Sequence, residues 1–234
     1  MGDSDSISWR GRIRLVDEVA QVLRERIYAG AYEPGAALRQ EQLAADLQVS
    51  RTPLREALRV LEREGLLTAE PGRGVRVVAI DHETLLDAYA VREVLDGLAA
   101  RLAALRATRA DVAELEEMLE RQHTFTDASG SFDVGGYTQA NVAFHARIVD
   151  LADNDFVTGQ LPLVPLTSQV FVPKRLIAED RARSAVAEHE LIVAAIAKGD
   201  GAQAEEQARQ HIRVTIDGLL RTREQQAERV PSTP

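Results

Sequence analysis

The tightest constraint in this sequence is a joint of three residues. Gln48, Val49 and Ser50 are all that separates two short amphipathic segments, and so short a connection sets two helices at a steep angle. Before the joint, Leu43, Ala44 and Leu47 share one side of a short helix that Leu38 leads into. After it, Ser50 is placed to cap a third helix, Pro53 is tolerated in its first turn, and Leu54, Ala57, Leu58 and Leu61 form an apolar stripe that ends at Gly65. A longer helix over roughly 14–29 precedes the pair. It carries Leu15, Val19, Val22, Leu23 and Ile27 at helical spacing and stops at Gly30, and Pro34-Gly35 turns the chain. Beyond Gly65, residues 66–70 and 75–79 read as two strands around the tip Pro71-Gly72-Arg73-Gly74. This order predicts a winged helix-turn-helix domain over 9–79, with 1–8 as a disordered lead.

From Glu83 onward strand patterning is absent, and the body, 80–227, reads as an all-α bundle. Leu85, Tyr89, Leu95, Leu98, Leu102 and Leu105 belong to one long helix whose alanines permit close helix contact, and a second helix starts at Thr108–Asp111. Residues 128–136 read as a loop. Further helices are predicted near 137–152, 155–180, 184–198 and 201–227, the second of these kinked or divided by Pro162, Pro165 and Pro173. The tail 228–234 reads as disordered. The fold class is therefore mainly α, a small winged head on a larger helical body.

Composition narrows the function. With no cysteine among 234 residues there is no disulfide scaffold, thiol nucleophile or Cys-ligated zinc. No segment approaches the ~18 uncharged apolar residues of a membrane helix, so the reading is cytoplasmic, with no membrane partner. The net charge of −9 looks hostile to nucleic acid until it is divided. Residues 1–80 hold 12 basic and 12 acidic groups, which leaves 16 basic and 25 acidic groups for the body. Only the neutral head is electrostatically suited to lie beside phosphate.

Within the head, Arg51, Arg55 and Arg59 recur every four residues, each about 40° further round the helix, so a cationic stripe runs beside the packing face. Such a helix can seat its N-terminal turn in the major groove, where an arginine fork meets guanine O6 and N7. Thr52 adds a hydroxyl, and Arg73, flanked by Gly72 and Gly74, suits a wing tip approaching the backbone or minor groove. The plainer reading of the arginines is solvated charge paired with Glu56, Glu62 and Glu64.

In the body, His145 follows Asn141 by four residues, so both fall on one helix face. His189 lies on the helix predicted near 184–198, and His211 follows 22 residues later on the next helix. Convergence of imidazoles with an oxygen donor suits Zn, Ni, Co or Mn. On spacing alone, a helical histidine is more often a hydrogen-bonded core residue. Arg92 lies on the same helical side as Tyr89 and Leu85, Asn154 lies at a helix boundary, and His82 and His123 fit no pattern.

The stretch Gly30-Ala-Tyr-Glu-Pro-Gly, the run from Leu43 through Ser50-Arg-Thr-Pro-Leu-Arg-Glu-Ala-Leu-Arg to Leu67, and Gly72-Arg-Gly-Val resemble the winged-helix domain of GntR-family transcription regulators. Residues 85–220 resemble the all-helical FCD effector domain of the FadR subfamily. The resemblance implies a homodimeric regulator, expected to be a repressor, on a pseudo-palindromic double-stranded operator, with Arg51 and Arg55 as principal DNA-contacting residues. It also implies a divalent ion on Asn141, His145, His189 and His211, and a small carboxylate effector fixed by Arg92, with Asn154 at a recurrent family position. Two departures stand out. Glu41 occupies a place where some relatives carry a DNA-contacting arginine, for which Arg39 is the available substitute. Asn141 stands where the family has aspartate, so the ligand set carries no negative charge; weaker metal retention or reliance on an anionic effector is expected. Two alternatives are a metal-responsive regulator without organic effector and a helical metallohydrolase. The latter lacks an evident acid-base residue, because Glu188 and Glu190 flank His189 on other sides of the helix.

Overall fold

The computed structural model describes residues 4–70, 74–126, 132–160, 162–171 and 177–229, and the chain divides into two compact units, the first running to Ala79 and taking in Gln169–Phe171, the second made of the rest of the chain from Ile80. In the head, α1 (Ser4–Tyr28), α2 (Gln40–Asp46) and α3 (Arg51–Arg63) accompany β1 (Ala37–Leu38), β2 (Leu67–Glu70) and β3 (Gly74–Val77). The sheet is antiparallel in the order β1-β3-β2, with Leu67 opposite Val77 and Glu70 opposite Gly74. The sequence reading missed β1, a two-residue edge at the foot of the turn, too short for any pattern to register.

Helix α1 begins at Ser4, so residues 4–8 are helical rather than a disordered lead, and its start precedes the predicted one by ten residues. Its buried stripe is Val16, Val19, Ala20, Leu23 and Ile27, while Leu15 and Val22 face out. α3 buries Pro53, Leu54, Ala57, Leu58 and Leu61, as its spacing requires. Ser50 is its N-cap in backbone conformation but makes no side-chain capping bond. The joint closes through Gln48 at φ +54, with Gln48 N donating to Ala45 O and Val49 N to Ala44 O, a helix ending that glycine more often supplies. The wing-tip residues Pro71, Gly72 and Arg73 lie outside the described residues. Gly74 has a backbone reason of its own: at φ +103, a Cβ there would come within 3.1 Å of Leu38 O.

The body comprises α4 (His82–Arg106), α5 (Arg109–Thr126), α6 (Val134–Leu151), α7 (Asp155–Thr158), α8 (Leu163–Pro165), a π turn at Leu166–Val170, α9 (Glu179–Ala197) and α10 (Gly201–Arg229). α6 starts three residues before its predicted beginning because Asp133 caps it, accepting from Gly136 N at 3.0 Å. Gly135 and Gly136 are therefore helical, and a Cβ on Gly136 would strike Phe125 at 2.4 Å. The helix predicted over 155–180 is divided into α7, α8 and the π turn, with the donor-less Pro162 and Pro165 at the breaks and Pro173 outside the described residues. α10 runs to Arg229, so residues 228 and 229 belong to a helix and not to a disordered tail.

One core joins α4, α5, α6, α9 and α10 around Ala99, Ala100, Ala103, Leu115, Phe144, Ile148, Ile192, Ile196 and Ala204. The small residues of α4 let α10 come close: a Cβ on Gly97 would meet the Arg209 side chain at 2.6 Å. Ala100, one turn along α4, is fully buried in this core. Ala100→Leu is expected to lower stability by about 1–3 kcal/mol through overpacking, measured by urea denaturation. An unchanged midpoint would show that the core has slack.

Candidate functional site

In the head, the packing of α3 leaves Arg51, Thr52, Arg55 and Arg59 exposed on one side. The expected pairing with Glu56, Glu62 and Glu64 does not form. Glu64 instead takes Arg24 of α1 at 2.7 Å, and Arg55 and Arg59 make no ion pair among the described residues. Arg51 Nη2 meets Glu41 Oε1 at 2.8 Å, with both side chains largely in solvent, a pair worth little and open to exchange for phosphate. Glu41, the departure from the family pattern, thus occupies Arg51 rather than adding a contact. Arg39 sits exposed at the N-cap of α2.

In the body, His145, His189 and His211 come from α6, α9 and α10 and converge, all buried, with one ligand atom of each within 4.8 Å of the others. Each ring is held through its Nδ1. His145 Nδ1 donates to Asp96 Oδ2 at 3.2 Å, His189 Nδ1 to Gln122 Oε1 at 2.8 Å, and His211 Nδ1 to Glu188 Oε2 at 2.6 Å. Three acceptors at Nδ1 select the tautomer that leaves Nε2 as a lone pair. His189 and His211 bring their Nε2 atoms within 3.3 Å, and His145 Nε2 is buried with no partner among the described residues. Metal bonds of 2.0–2.1 Å in a tetrahedral set require nitrogens about 3.4 Å apart, and outer acceptors on Nδ1 are the usual support of such a set. The donors therefore fit a divalent ion.

Electrostatics favours the same state. Burial pushes the His145 imidazole down to about 4, the Arg92 charge adding to the effect and the Asp96 bond opposing it. Burial likewise lowers His189 and His211, the latter against the hydrogen bond to Glu188. Burial would raise Asp96, but Arg92 and His145 outweigh it and hold the carboxyl at about 2. Neutral rings beside an ionised carboxylate are what a cation needs.

Beside the triad lies a cavity of about 560 Å³ whose wall includes Tyr89, Arg92, Asn141, Ser168, Arg181 and His211. Asn141 and His211 place the metal-ligand candidates at its edge. Arg92, only 2% exposed, gives Nε to Asp96 at 3.1 Å and Nη1 to Thr167 Oγ1 and Ser168 Oγ, at 3.1 and 2.8 Å, out of the π turn. Its Nη2 has no partner. Of the four buried polar side-chain atoms without partners among the described residues, Arg92 Nη2 belongs to the cavity wall and His145 Nε2 to the triad, where an acid and an ion would supply what each lacks. Asn154 is not in this wall. It caps α7, accepting from Phe156 N and Val157 N at 3.1 and 3.3 Å, which is the capping role its helix-boundary position offered alongside an effector contact. His82 and His123 bond to Leu219 O and Glu190, away from the triad.

Sequence reading missed the outer acceptors. Asp96 was accessible as Arg92-x-x-x-Asp96, an i,i+4 pair on one helix. Gln122 has no such signal. Glu188 does point away from His189, but toward His211 of the following helix, which corrects the view that it stands apart from the site.

Residues 15–77 match the bacterial regulatory proteins of the gntR family, and residues 87–214 match the FCD domain. The chain belongs to the GntR family and carries an FCD domain. It is 40% identical over 124 residues to the Nta operon transcriptional regulator of Aminobacter aminovorans, a match spanning 53% of this chain and 57% of that protein. It is 31% identical over 208 residues, 86% of this chain and 83% of the other, to an uncharacterized HTH-type transcriptional regulator in an unstable DNA locus of Streptomyces ambofaciens. Its fold is that of E. coli McbR/YncC, with a TM-score of 0.77 and 24% identity over 89% of this chain and 98% of that one. This GntR-family chain is thus a DNA-binding transcription regulator, and no helix among its described residues is long and apolar enough to cross a membrane.

The buried imidazoles give the metal-free protein a defined pH response. Unfolded, a histidine titrates near 6.5; folded, His145 does so at about 4. Between these values the unfolded chain binds protons that the native state refuses, so stability is full above pH ~6.5 and falls on acidification, by up to about 1.4 kcal/mol per pH unit for this residue. Urea denaturation of chelator-treated protein from pH 7.5 to 4.5 is expected to follow that course, with a shallower slope in His145→Gln. A midpoint indifferent to pH would contradict neutral burial.

Proposed function

We propose that this regulator is a homodimeric repressor whose hold on a pseudo-palindromic operator is controlled by a small carboxylate bound beside a divalent ion in the FCD domain. The observation that carries this reading is the adjacency of a buried imidazole triad and a buried arginine with an unpartnered Nη2 at one cavity. Arg92 is a planar, permanently charged fork suited to a carboxylate, with Ser168 and Thr167 holding it in place. His145, His189 and His211, with the Asn141 amide, would hold zinc, nickel, cobalt or manganese; when bound, the ion supplies positive charge to the acid. The protein works in the cytoplasm, where its operator is.

Arg51, Thr52, Arg55 and Arg59 read the operator, with Arg73 and Gly74 at the wing. Dimerisation has a candidate seam on α4, where Val91, Leu98 and Leu105 are exposed large apolar residues at seven-residue spacing, with exposed Val94 three residues after the first. A two-fold dimer presents two copies of α3 to two half-sites, and repression follows from occupying the operator. Control is linkage: the acid binds one dimer geometry better than the other, and that affinity ratio sets how far operator affinity moves.

Two measurements test this reading. Arg51→Ala with Arg55→Ala is expected to abolish specific footprinting while circular dichroism and dimer mass stay unchanged; a footprint that persists would place recognition elsewhere. Arg92→Ala is expected to weaken acid binding at least tenfold with bound metal retained, whereas His189→Ala loses the metal by elemental analysis. Equal loss of metal in both variants would remove the separate carboxylate role of Arg92. Operator release on titrating metal alone, with no added effect of any acid, would identify a pure metal sensor instead.

A further inference from the structure

Two arginines of the cavity wall are built in the same way, and only one has so far been given work. Arg92 gives Nε to Asp96, whose Oδ2 also takes His145 Nδ1. Arg181, from α9, gives Nη1 and Nη2 to the two oxygens of Glu188 at 3.1 and 3.0 Å, and Glu188 Oε2 also takes His211 Nδ1. Each arginine is thus fixed by a carboxylate that in turn fixes one ring of the triad. Arg181 Nη2 is further held by Thr215 Oγ1 at 3.0 Å. Both arginines line the same cavity, together with Tyr89, Tyr137 and His211.

We infer that the cavity takes a dicarboxylate, one acidic group on Arg92 and the second on Arg181. The inference rests on the effector reading above and sharpens it. Charge supports it as well as geometry. Arg92, Arg181 and Arg221 in the wall are balanced by Asp180 in the wall and by Asp96 and Glu188 behind it, three against three. A divalent ion on the neutral triad leaves two positive charges in a largely buried site. A monoacid cancels one of them and a diacid both, and an uncancelled charge out of water is costly. Arg181 is partly open, with 31% of its side chain exposed, so it can receive a ligand without breaking its bond to Glu188. A volume of about 560 Å³ is ample for a short-chain diacid.

The test is isothermal titration of the full-length, zinc-loaded protein with malonate, succinate and glutarate, against acetate, butyrate and succinamate. The best diacid is expected to bind at least tenfold more tightly than the matched monoacid or monoamide. Arg181→Gln is expected to bring that ratio close to one while monoacid affinity changes less than about threefold, and Arg181→Lys to restore part of it. Arg181 also supports Glu188, so zinc content is measured in each variant; a merely structural loss would weaken monoacids and diacids together and leave the ratio intact. A ratio unmoved by Arg181→Gln, or diacids and monoacids bound alike by the wild type, would overturn the inference while leaving a carboxylate effector on Arg92 standing. Binding of none of the acids would overturn both.

Discussion

Three imidazole N–H groups, each committed to an acceptor on another helix, are the joints on which the body depends. Asp96 of α4 receives His145 of α6, Gln122 of α5 receives His189 of α9, and Glu188 of α9 receives His211 of α10. These three bonds tie all five long helices of the body. They also explain why polar rings lie in an apolar core: Phe144 packs within 4.4 Å of the His189 ring, and a ring so placed is tolerable only if its N–H is met. The arrangement satisfies one nitrogen of each ring and leaves the other facing its fellows, so the interior that stabilises the fold also prepares a cation site. The close seam of α4 with α10 belongs to the same interior: a Cβ at Gly97 would run into the Arg209 side chain, two residues before His211.

The head solves a simpler problem. Its short helices bury one face each, and what remains on α3 is a row of arginines that the protein itself hardly uses. Arg24 of α1 draws Glu64 away from that row, leaving only the solvent-exposed contact of Arg51 with Glu41. If α3 meets the duplex as proposed, so weak an internal partner would limit nonspecific attraction by Arg51 at little energetic cost to operator binding. The neutral charge of residues 1–80 expresses the same balance at the scale of the domain.

Periodicity was readable where a helix buries one face and a distinct residue stops it, as in α3 between Ser50 and Gly65. It failed where backbone chemistry overrode composition. The proline-rich stretch after Asn154 keeps an apolar pattern but lacks the donors for a continuous helix, and the π turn it forms instead supplies Thr167 and Ser168 to Arg92. At Gly135-Gly136 the cap from Asp133 and the pressure of Phe125 turn an apparent loop into a helix. Of the candidate site, spacing made legible only that Asn141 and His145 share one helix face and that Arg92 lies on the side of Tyr89 and Leu85; the ligand set and the carboxylate role of Arg92 came from the family resemblance. The site's outer acceptors depend on which helix lies against which, and Gln122 and Glu188 carry no local mark of the ring they hold. Asn154 shows the converse, a recurrent residue whose contacts here are those of an ordinary cap.

The asparagine at 141 takes on a different meaning once the outer residues are known. Read alone, a neutral ligand set leaves a divalent ion unbalanced. Two carboxylates stand one step out, Asp96 and Glu188, but each already faces an arginine, so they orient the rings without cancelling the ion's charge. The balance then falls to whatever anion enters the cavity. Binding free energies are reciprocal: if the ion strengthens the acid by some factor, the acid strengthens the ion by the same factor. A site with aspartate at 141 would hold its ion whether or not the acid is present, and the coupling would be small. On the function proposed above, an amide there would leave ion and acid each lacking a counter-charge that the other provides, so their joint occupancy would be more cooperative.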